Sequence, residues 1–407
     1  MKTKQGTNTS LITFCTALAL CWCIHAHGVN CTNWSTLTNW TQTSAPSKSW
    51  TSIASSADGA NLAASFNGGI YTSTNAGVTW TPSSAPNQSW MWIASSADGT
   101  RLAATAMEIG IYTSANSGAT WTPSSAPTAD WTPIACSADG TKLAAGVGYN
   151  GGGIYTSPNS GRYWWQTSAP RQWWGSIASS ADGTRLAAVY YSYSLDSWNG
   201  GIYTSTNSGF EWTQTSAGNR YWTAIASSAD GTKLAAAWMG DGIYRSTDSG
   251  ASWTQTSAPR ANWYRIASSA DGTKLAAGTW AGGIYISTDS GLMWTQTSAP
   301  TANWQCIACS ADGTKLAAVV AGVGIWTAQA TILAARPPRL AVTKSGSGAT
   351  VSWPYPSTGW ALQQNSNLST TNWTCSGFTV TTNASDCSLT IPAAAGSLFF
   401  RLANGGY

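Results

Sequence analysis

The sequence predicts an all-β fold built from a repeated unit of short strands. The phrase Ala-Asp-Gly, followed two residues later by Leu-Ala-Ala, occurs seven times in 407 residues; its aspartates are Asp58, Asp98, Asp139, Asp182, Asp230, Asp271 and Asp312. Successive copies are 40 to 48 residues apart, and a strand-rich repeat of that length is typical of a propeller or a solenoid. We therefore expect a seven-bladed β-propeller over 29–335, closed by an N-terminal outer strand and followed by a small β-sandwich over 336–407.

Each repeat has the pattern of four antiparallel strands. In the copy that begins at Trp263, the first turn, Ala270-Asp271-Gly272, separates two strands, and a second turn, Thr288-Asp289-Ser290-Gly291, separates a third strand from a fourth. Asp-Gly is a strong hairpin signal, and four short strands per repeat are typical of a propeller blade. A tryptophan recurs at the start of the first strand, as at Trp222 and Trp304, and we expect it to pack within the blade.

The second turn carries a further pattern, Ser-x-Asp-x-Gly-x-x-Trp, from Ser246 to Trp253 and again from Ser287 to Trp294. In four further copies Asn replaces the Asp, at Asn75, Asn116, Asn159 and Asn207. An amide oxygen accepts a backbone N–H in such a turn as a carboxylate does. The pattern resembles the Asp-box of the bacterial neuraminidase repeat (BNR) family, which includes sialidase-like and photosystem-assembly-factor-like propellers. The resemblance implies a propeller fold and a structural role for the box, away from the ligand-binding face.

The two ends of the repeat region are expected to meet. The chain contains seven first turns but six second turns, so the seventh repeat lacks its outer strand. Residues 40–44 match that strand and have no first hairpin before them. We expect 40–44 to pair beside 323–328, because this closure removes an exposed sheet edge. After a linker at 334–339 the repeat ends, and short alternating runs up to residue 407 resemble a fibronectin-III-like β-sandwich.

Residues 1–28 have the features of a signal peptide. Lysines at 2 and 4 precede an apolar run over 11–24, and small residues follow at 26 and 28. We therefore expect a secreted protein, extracellular or periplasmic, with no later membrane span. Both histidines of the chain, at 25 and 27, lie in this leader. The mature chain thus has no imidazole for a catalytic triad or a metal site, and we expect no metal and no cofactor.

Composition excludes several partners. Charged residues are 8% of the chain and the formal net charge is +4, so neither a nucleic-acid footprint nor a polybasic membrane patch is present. We expect a monomer. Cys375 and Cys387 lie in the last domain and are predicted to form a disulfide, worth about 3 kcal/mol for a loop of that size. Cys136 and Cys309 replace a repeated serine and are expected to be small buried residues.

Both kinds of hairpin turn must lie on one rim of the ring, the turn rim, because they join strands one to two and three to four. The other connections form the opposite, variable rim, and variable loops on a rigid scaffold usually carry function. They are rich in aromatic and guanidinium groups, which stack on sugar rings or peptide side chains and fix their orientation. The predicted ligand-binding residues are Arg171, Trp173, Trp174, Tyr190, Tyr191, Tyr193, Asp196, Trp198, Arg220, Tyr221, Trp238, Asp241 and Trp280.

These features favour a non-catalytic binding propeller that recognises a glycan or a peptide on the variable rim, and we assign no catalytic residue. The alternatives are a glycoside hydrolase, sialidase-like or endoglucanase-like, and a structural or assembly scaffold. A hydrolase needs two carboxylates about 5 to 9.5 Å apart; the acids available on this rim are Glu108, Asp130, Asp196 and Asp241. The resemblance to sialidases would also require three converging arginines; the candidates are Arg171, Arg220 and Arg260.

Overall fold

The computed structural model describes residues 13–14, 39–148, 151–194, 197–329, 340–345, 348–354, 360–366, 374–375, 380–382, 386–392 and 398–404. The chain divides into two compact units, Trp34–Ala330 and a second unit that contains Thr331–Tyr407. Within the described residues the regular elements are all β-strands, and no helix occurs among them. The prediction of an all-β chain is therefore confirmed.

The first unit consists of four-stranded antiparallel sheets, the blades. From the inner strand outward, blade 1 contains Trp50–Ser55, Leu62–Phe66, Gly69–Ser73 and Thr81–Pro82; blade 2 Trp90–Ser95, Leu102–Ala106, Gly110–Ser114 and Thr122–Pro123; blade 3 Trp131–Cys136, Leu143–Val147, Ile154–Ser157 and Trp165–Gln166; blade 4 Trp173–Ser179, Leu186–Ser194, Ser197–Ser205 and Thr213–Gln214; blade 5 Trp222–Ser227, Leu234–Asp241, Ile243–Ser246 and Thr254–Gln255; blade 6 Ala261–Ser268, Leu275–Thr279, Ile284–Ser287 and Thr295–Gln296; blade 7 Trp304–Cys309, Lys315–Val320, Gly324–Gln329 and Thr41–Gln42. Blades 5 and 6 are additionally joined by pairing of Met239 with Asn262. These repeated four-stranded sheets have the architecture of a β-propeller.

The recurring tryptophan at the start of each inner strand is the largest buried side chain of its blade. The residues concerned are Trp50, Trp90, Trp131, Trp174, Trp222, Trp263 and Trp304, and each is at most 1% exposed. In blade 6 the Trp263 ring meets Tyr285 edge-on at 5.1 Å and Trp294 at 6.1 Å. Its Nε1 donates to the Pro259 carbonyl at 3.0 Å, so the one polar group of this buried side chain has a hydrogen-bond partner. The prediction that this residue packs within the blade is confirmed.

The second turn is held by side-chain hydrogen bonds to the backbone. In blade 5 the Asp248 carboxylate accepts from the Ser246 hydroxyl at 2.7 Å and from a backbone N–H four residues later at 2.9 Å. Asn75 of blade 1 accepts the equivalent backbone N–H at 2.9 Å, so the amide replaces the carboxylate without loss of the turn. Ser249 has a φ of 60° and the following glycine a φ of 92°. Two successive left-handed residues therefore make this bend.

Both kinds of turn lie on the turn rim. In blade 5 the Ser249 N–H donates to the Thr232 carbonyl of the first turn at 2.8 Å, and blades 1 to 6 all have this contact. Hydrogen bonds of 2.7 Å also join the first turns of successive blades, through Ala57, Ala97, Ala138, Ala181, Ala229, Ala270 and Ala311. The Ala311 N–H donates in turn to the Ala57 carbonyl. The first and last turns of the repeat region therefore meet.

The N-terminal strand lies beside blade 7. Thr41–Gln42 pairs with Thr327 and Trp326 of the third strand of that blade. The preceding Trp40 is 9% exposed, and its Nε1 donates to the Thr297 hydroxyl of blade 6 at 3.0 Å. The residues before the first repeat thus supply the fourth strand of the last blade.

The second unit contains two sheets that share an apolar core. One sheet has the strand order Ala341–Ser345, Gly348–Pro354, Asp386–Pro392 and Thr381–Thr382; the other has the order Thr13–Phe14, Leu398–Asn404, Trp360–Asn365 and Thr374–Cys375. Val351 and Leu389 of the first sheet pack with Leu362 and Phe400 of the second. Cys387 is buried, whereas the Cys375 side chain lies outside the described part of the chain, so the disulfide stays a prediction. The linker and, apart from residues 13–14, the leader also lie outside it.

Candidate functional site

The variable rim is built from the connections between second and third strands and those between blades. Connections of the two kinds are in contact with each other. In blade 5, for example, the Met239 N–H donates to the Tyr221 carbonyl at 3.1 Å. The inner strands begin at this rim, and in every blade their pairing shifts just after the recurring tryptophan, as between Trp263 and Arg265. Such bulges re-aim side chains and are frequent beside functional sites. The bulges therefore lie at the end of each inner strand that faces the variable rim.

Three side chains at these bulges form a stacked group, the channel cluster: Trp92, Tyr264 and Arg265. The Arg265 guanidinium carbon lies 3.9 Å from the centre of the Tyr264 ring and 4.8 Å from the centre of the Trp92 ring. Trp92 belongs to blade 2 and Arg265 to blade 6, and blades 7 and 1 lie between them. The two side chains therefore meet across the central space. Stacking of a cation on an aromatic face contributes about 0.5–2 kcal/mol.

Arg265 retains hydrogen-bond donors for a ligand. Its Nε donates to the Gln305 carbonyl at 2.6 Å and its Nη1 to the Tyr264 carbonyl at 2.9 Å. A guanidinium carries five N–H donors, so the remaining ones, including both on Nη2, are uncommitted. Within the described residues no carboxylate forms an ion pair with Arg265. The cluster therefore presents a fixed positive charge between two flat rings.

Three predicted rim residues follow one another beside this cluster. Trp280 is 41% exposed, and its ring meets Tyr264 edge-on at 5.3 Å. Tyr191 of blade 4 meets Tyr221, at the entry to blade 5, edge-on at 5.3 Å. The Tyr221 carbonyl accepts a hydrogen bond from the Met239 N–H. Met239 pairs with Asn262 in the first strand of blade 6, two residues before Tyr264. Tyr191, Tyr221 and Trp280 thus lie in order along the rim of blades 4 to 6.

Four other predicted residues belong to blade packing. Trp174 is 1% exposed, because it is the strand-start tryptophan of blade 4, and its assignment as a ligand contact is wrong. Half-buried Tyr190 packs edge-on against it at 5.8 Å. The Arg220 guanidinium lies over the rings of Trp238 and Tyr244 at 5.2 and 4.6 Å. This cation and Trp238 therefore stabilise blade 5 from within.

Five further predicted residues belong to blade 4 or to the connection that precedes it. Arg171 is exposed and Trp173 is 38% exposed, on the connection that leads from blade 3. Tyr193 and Trp198 are opposite each other in the backbone pairing of the long second and third strands. Their side chains, and the whole of Asp196, lie outside the part of the chain that the structure describes. The role proposed for these three residues stays a prediction.

The repeat itself contained a signal for the channel cluster that the sequence prediction did not use. In five of the seven copies the two residues after the strand-start tryptophan are neither aromatic nor charged: Thr-Ser, Thr-Pro, Gly-Ser, Thr-Ala and Gln-Cys. Blades 2 and 6 instead have Met91-Trp92 and Tyr264-Arg265. Bulky and charged side chains, at positions that are neither aromatic nor charged in the other copies, mark the two blades whose side chains meet across the central space.

The described rim carboxylates lie in separate blades. Glu108 belongs to blade 2, Asp130 immediately precedes blade 3, and Asp241 ends the second strand of blade 5. Asp241 forms an ion pair with Arg260, with 3.1 Å between Oδ1 and Nε. Among the residues that the structure describes, no group of three His, Cys, Asp or Glu side chains could hold a metal ion.

The strongly shifted pKa values belong to structural groups. Hydrogen bonds from the Ser96 hydroxyl and from a backbone N–H lower the pKa of Asp98 to about 2. The counterparts Asp139, Asp182 and Asp230 also have pKa values of about 2. Burial raises the pKa of the Cys136 and Cys309 thiols to about 12. These cysteines are therefore not thiolate nucleophiles at neutral pH.

No family model and no curated protein matches this chain. Among solved structures the chain is similar to YCF48 from Cyanidioschyzon merolae, with 15% identity and a TM-score of 0.55 over 71% of this chain and 98% of that one. A structure described as YCF48 bound to D1 peptide matches with 14% identity and a TM-score of 0.55 over 72% of this chain and 96% of that one. The GH74 xyloglucanase from Xanthomonas campestris matches with 15% identity and a TM-score of 0.55, over 78% of this chain and 59% of that one. The β-propeller domain of Cps50 (Swd1) from Myceliophteria thermophila matches with 13% identity and a TM-score of 0.55, over 70% of this chain and 97% of that one.

At these identities the similarity shows the fold alone, and it confirms the predicted β-propeller. The neighbours include both a hydrolase and proteins of other kinds, so the fold does not distinguish an enzyme from a binding protein. In the described residues, no helix has the length and apolar content needed to cross a membrane.

Proposed function

We propose that this chain is a secreted, non-catalytic binding protein that takes a glycan or a peptide on the variable rim of a closed seven-bladed propeller over 29–335. The hydrogen bond from Ala311 to Ala57 and the pairing of Thr41–Gln42 with blade 7 support the closed ring. The signal-like segment 1–28 supports export. The shared core of the two C-terminal sheets supports a fibronectin-III-like module over 336–407, and the repeated second turn supports a relation to the BNR family.

The channel cluster carries this proposal. A guanidinium with uncommitted donors, held between the rings of Trp92 and Tyr264, is suited to bind an acidic group of a ligand. The exposed ring of Trp280 beside it is suited to stack on a sugar ring or on an apolar side chain. Inner strands and their bulges set these positions, so little conformational freedom is lost when a ligand binds. One neighbour of similar fold has been solved with a peptide.

A glycan array and a peptide array probed with the mature protein test the proposal. Arg265→Met is expected to weaken the strongest interaction by roughly 10- to 100-fold, because truncation of a central arginine anchor often costs about 2 kcal/mol or more. Arg162→Met is the matched control, since Arg162 is exposed on the turn rim. Equal affinity of the Arg265→Met and wild-type proteins would refute the site. The lack of any interaction on both arrays would refute the binding role.

The rim acids support a binding protein over a hydrolase. Hydrolysis needs two carboxylates on either side of one glycosidic bond, and among the described rim acids Asp241 is held in an ion pair with Arg260. The arginines required of a sialidase also have separate partners, because Arg220 is stacked within blade 5 and Arg260 binds Asp241. Release of reducing sugar from any array glycan by the mature protein would overturn the non-catalytic assignment.

A further inference from the structure

A groove between blades 3 and 4 on the turn rim is larger than the corresponding cavities at four other places between blades. The corresponding cavity is about 60 Å³ between blades 7 and 1, and about 10 Å³ between blades 1 and 2, 4 and 5, and 5 and 6. Between blades 3 and 4 it is about 860 Å³. Ligand clefts typically measure about 300–1,000 Å³. This outer groove, as we call it, therefore has the size of a binding site.

Two aromatic residues that depart from the repeat form its outer walls. The first residue of the fourth strand is Thr in the six other blades but Trp165 in blade 3. The residue after the turn glycine is Ala in blades 2 and 5 but Phe210 in blade 4. Their side chains are 56% and 78% exposed. The Ser168 hydroxyl of blade 3 donates to the Phe210 carbonyl at 3.1 Å, so the turn that carries Phe210 is joined to the segment that follows the Trp165 strand.

Polar groups line the outer groove between these walls. The hydroxyls of Thr156 and Ser208 form no hydrogen bond to the described residues. One Glu211 carboxylate oxygen accepts from the Asn207 amide at 3.3 Å, which leaves the other oxygen open. Lys142 donates through Nζ to a backbone carbonyl of blade 4 at 2.8 Å, which leaves two of its three N–H donors. The lining thus offers both donors and acceptors beside the two aromatic walls.

We propose that the outer groove binds a neutral oligosaccharide. A pyranose ring has an apolar face that packs on an indole, and its hydroxyls need the donors and acceptors that Thr156, Ser208 and Glu211 provide. The two charged side chains of the lining, Lys142 and Glu211, have opposite signs, so the groove has no net charge to select an acidic chain. The site lies on the rim opposite the channel cluster and is independent of the function proposed above.

Affinity electrophoresis in native gels tests this proposal, with hydroxyethyl cellulose, galactomannan, glucomannan or dextran as the neutral polysaccharide. The mature protein is expected to be retarded by at least one of the four. Trp165→Thr and Phe210→Ala introduce residues that other blades use at the same positions, so both variants should fold. Each is expected to raise the dissociation constant for that polysaccharide roughly tenfold or more, as loss of an aromatic anchor does.

Two control variants make the result specific. Leu292 is 53% exposed at the position of blade 6 that corresponds to Phe210, where the adjoining cavity is about 10 Å³, so Leu292→Ala should leave the retardation unchanged. Arg265→Met should also leave it unchanged, which separates this test from that of the channel cluster. Unaltered migration of the wild-type protein in all four gels would overturn the proposal. Equal retardation of the Trp165→Thr and wild-type proteins would overturn it as well.

Discussion

Replacement of Trp40 by alanine tests whether the N-terminal strand holds the ring together. The Trp40 ring packs against Trp304 of blade 7 with 5.9 Å between centroids, and its side chain is 9% exposed. Its Nε1 donates to the Thr297 hydroxyl, which itself donates to the Ile284 carbonyl at 2.9 Å. The substitution therefore removes packing and one hydrogen bond, while Thr297 keeps a partner.

The expected loss follows from this burial. A buried tryptophan truncated to alanine typically costs about 3–5 kcal/mol, and a domain of this size changes its Tm by roughly 2–4 °C per kcal/mol. We therefore expect the Tm of Trp40→Ala to fall by roughly 6–20 °C, measured by circular dichroism or calorimetry on the mature protein. If the strand were detached in solution, the substitution would have almost no effect.

Trp294→Ala is the matched control, because Trp294 occupies the same position before the outer strand of blade 6. That strand follows its own blade in the chain, so its docking does not depend on ring closure. Deletion of residues 29–46 is expected to lower the Tm at least as far as Trp40→Ala, since it removes Thr41–Gln42 and exposes the edge of blade 7. A deletion variant that melts at the wild-type temperature would refute closure by this strand.

Two neighbouring tryptophans should behave differently in thermal melts. Trp174→Ala should lower the Tm by roughly 6 °C or more, whereas Trp173→Ala, at an exposed site, should change the Tm little. Similar decreases in the two variants would contradict the assigned register of this strand. The Tm should be constant from pH 8 to 5 and fall below pH 4, because hydrogen bonds lower the pKa of Asp98 and its counterparts to about 2, so the unfolded chain binds protons first as the pH falls. Each of these carboxylates is exposed and contributes little to the stability alone, but the same turn occurs in every blade, so the contributions add. An unchanged Tm at pH 3 would argue against this explanation. Mass spectrometry of the unreduced mature protein should detect a peptide cross-linked through Cys375 and Cys387, and two free thiols at these positions would disprove the disulfide.

Much of the fold could be predicted because the signals that specify a blade are local. The turn at Asp248 needs a short oxygen-bearing side chain, a following glycine and a tryptophan within eight residues, and Asn75 works equally well. The error at Trp174 was also local in origin. Two tryptophans, Trp173 and Trp174, stand side by side before the strand, and only alignment on the following Ile-Ala-Ser identifies the second as the buried one.

The sites depended on contacts that no local pattern specifies. Arg265 and Trp92 are far apart in the chain, and they meet because the inner strands of blades 6 and 2 face each other across the central space. In the sequence, Trp165 and Phe210 are two unrelated deviations from the repeat. They line one groove because blades 3 and 4 are adjacent in the folded protein. The sequence alone thus determined the strands, the turns and the rim on which each turn lies, because hydrogen bonding and side-chain alternation act over a few residues. Only the tertiary structure decided which side chains share a surface, because that depends on how the blades are arranged around the ring.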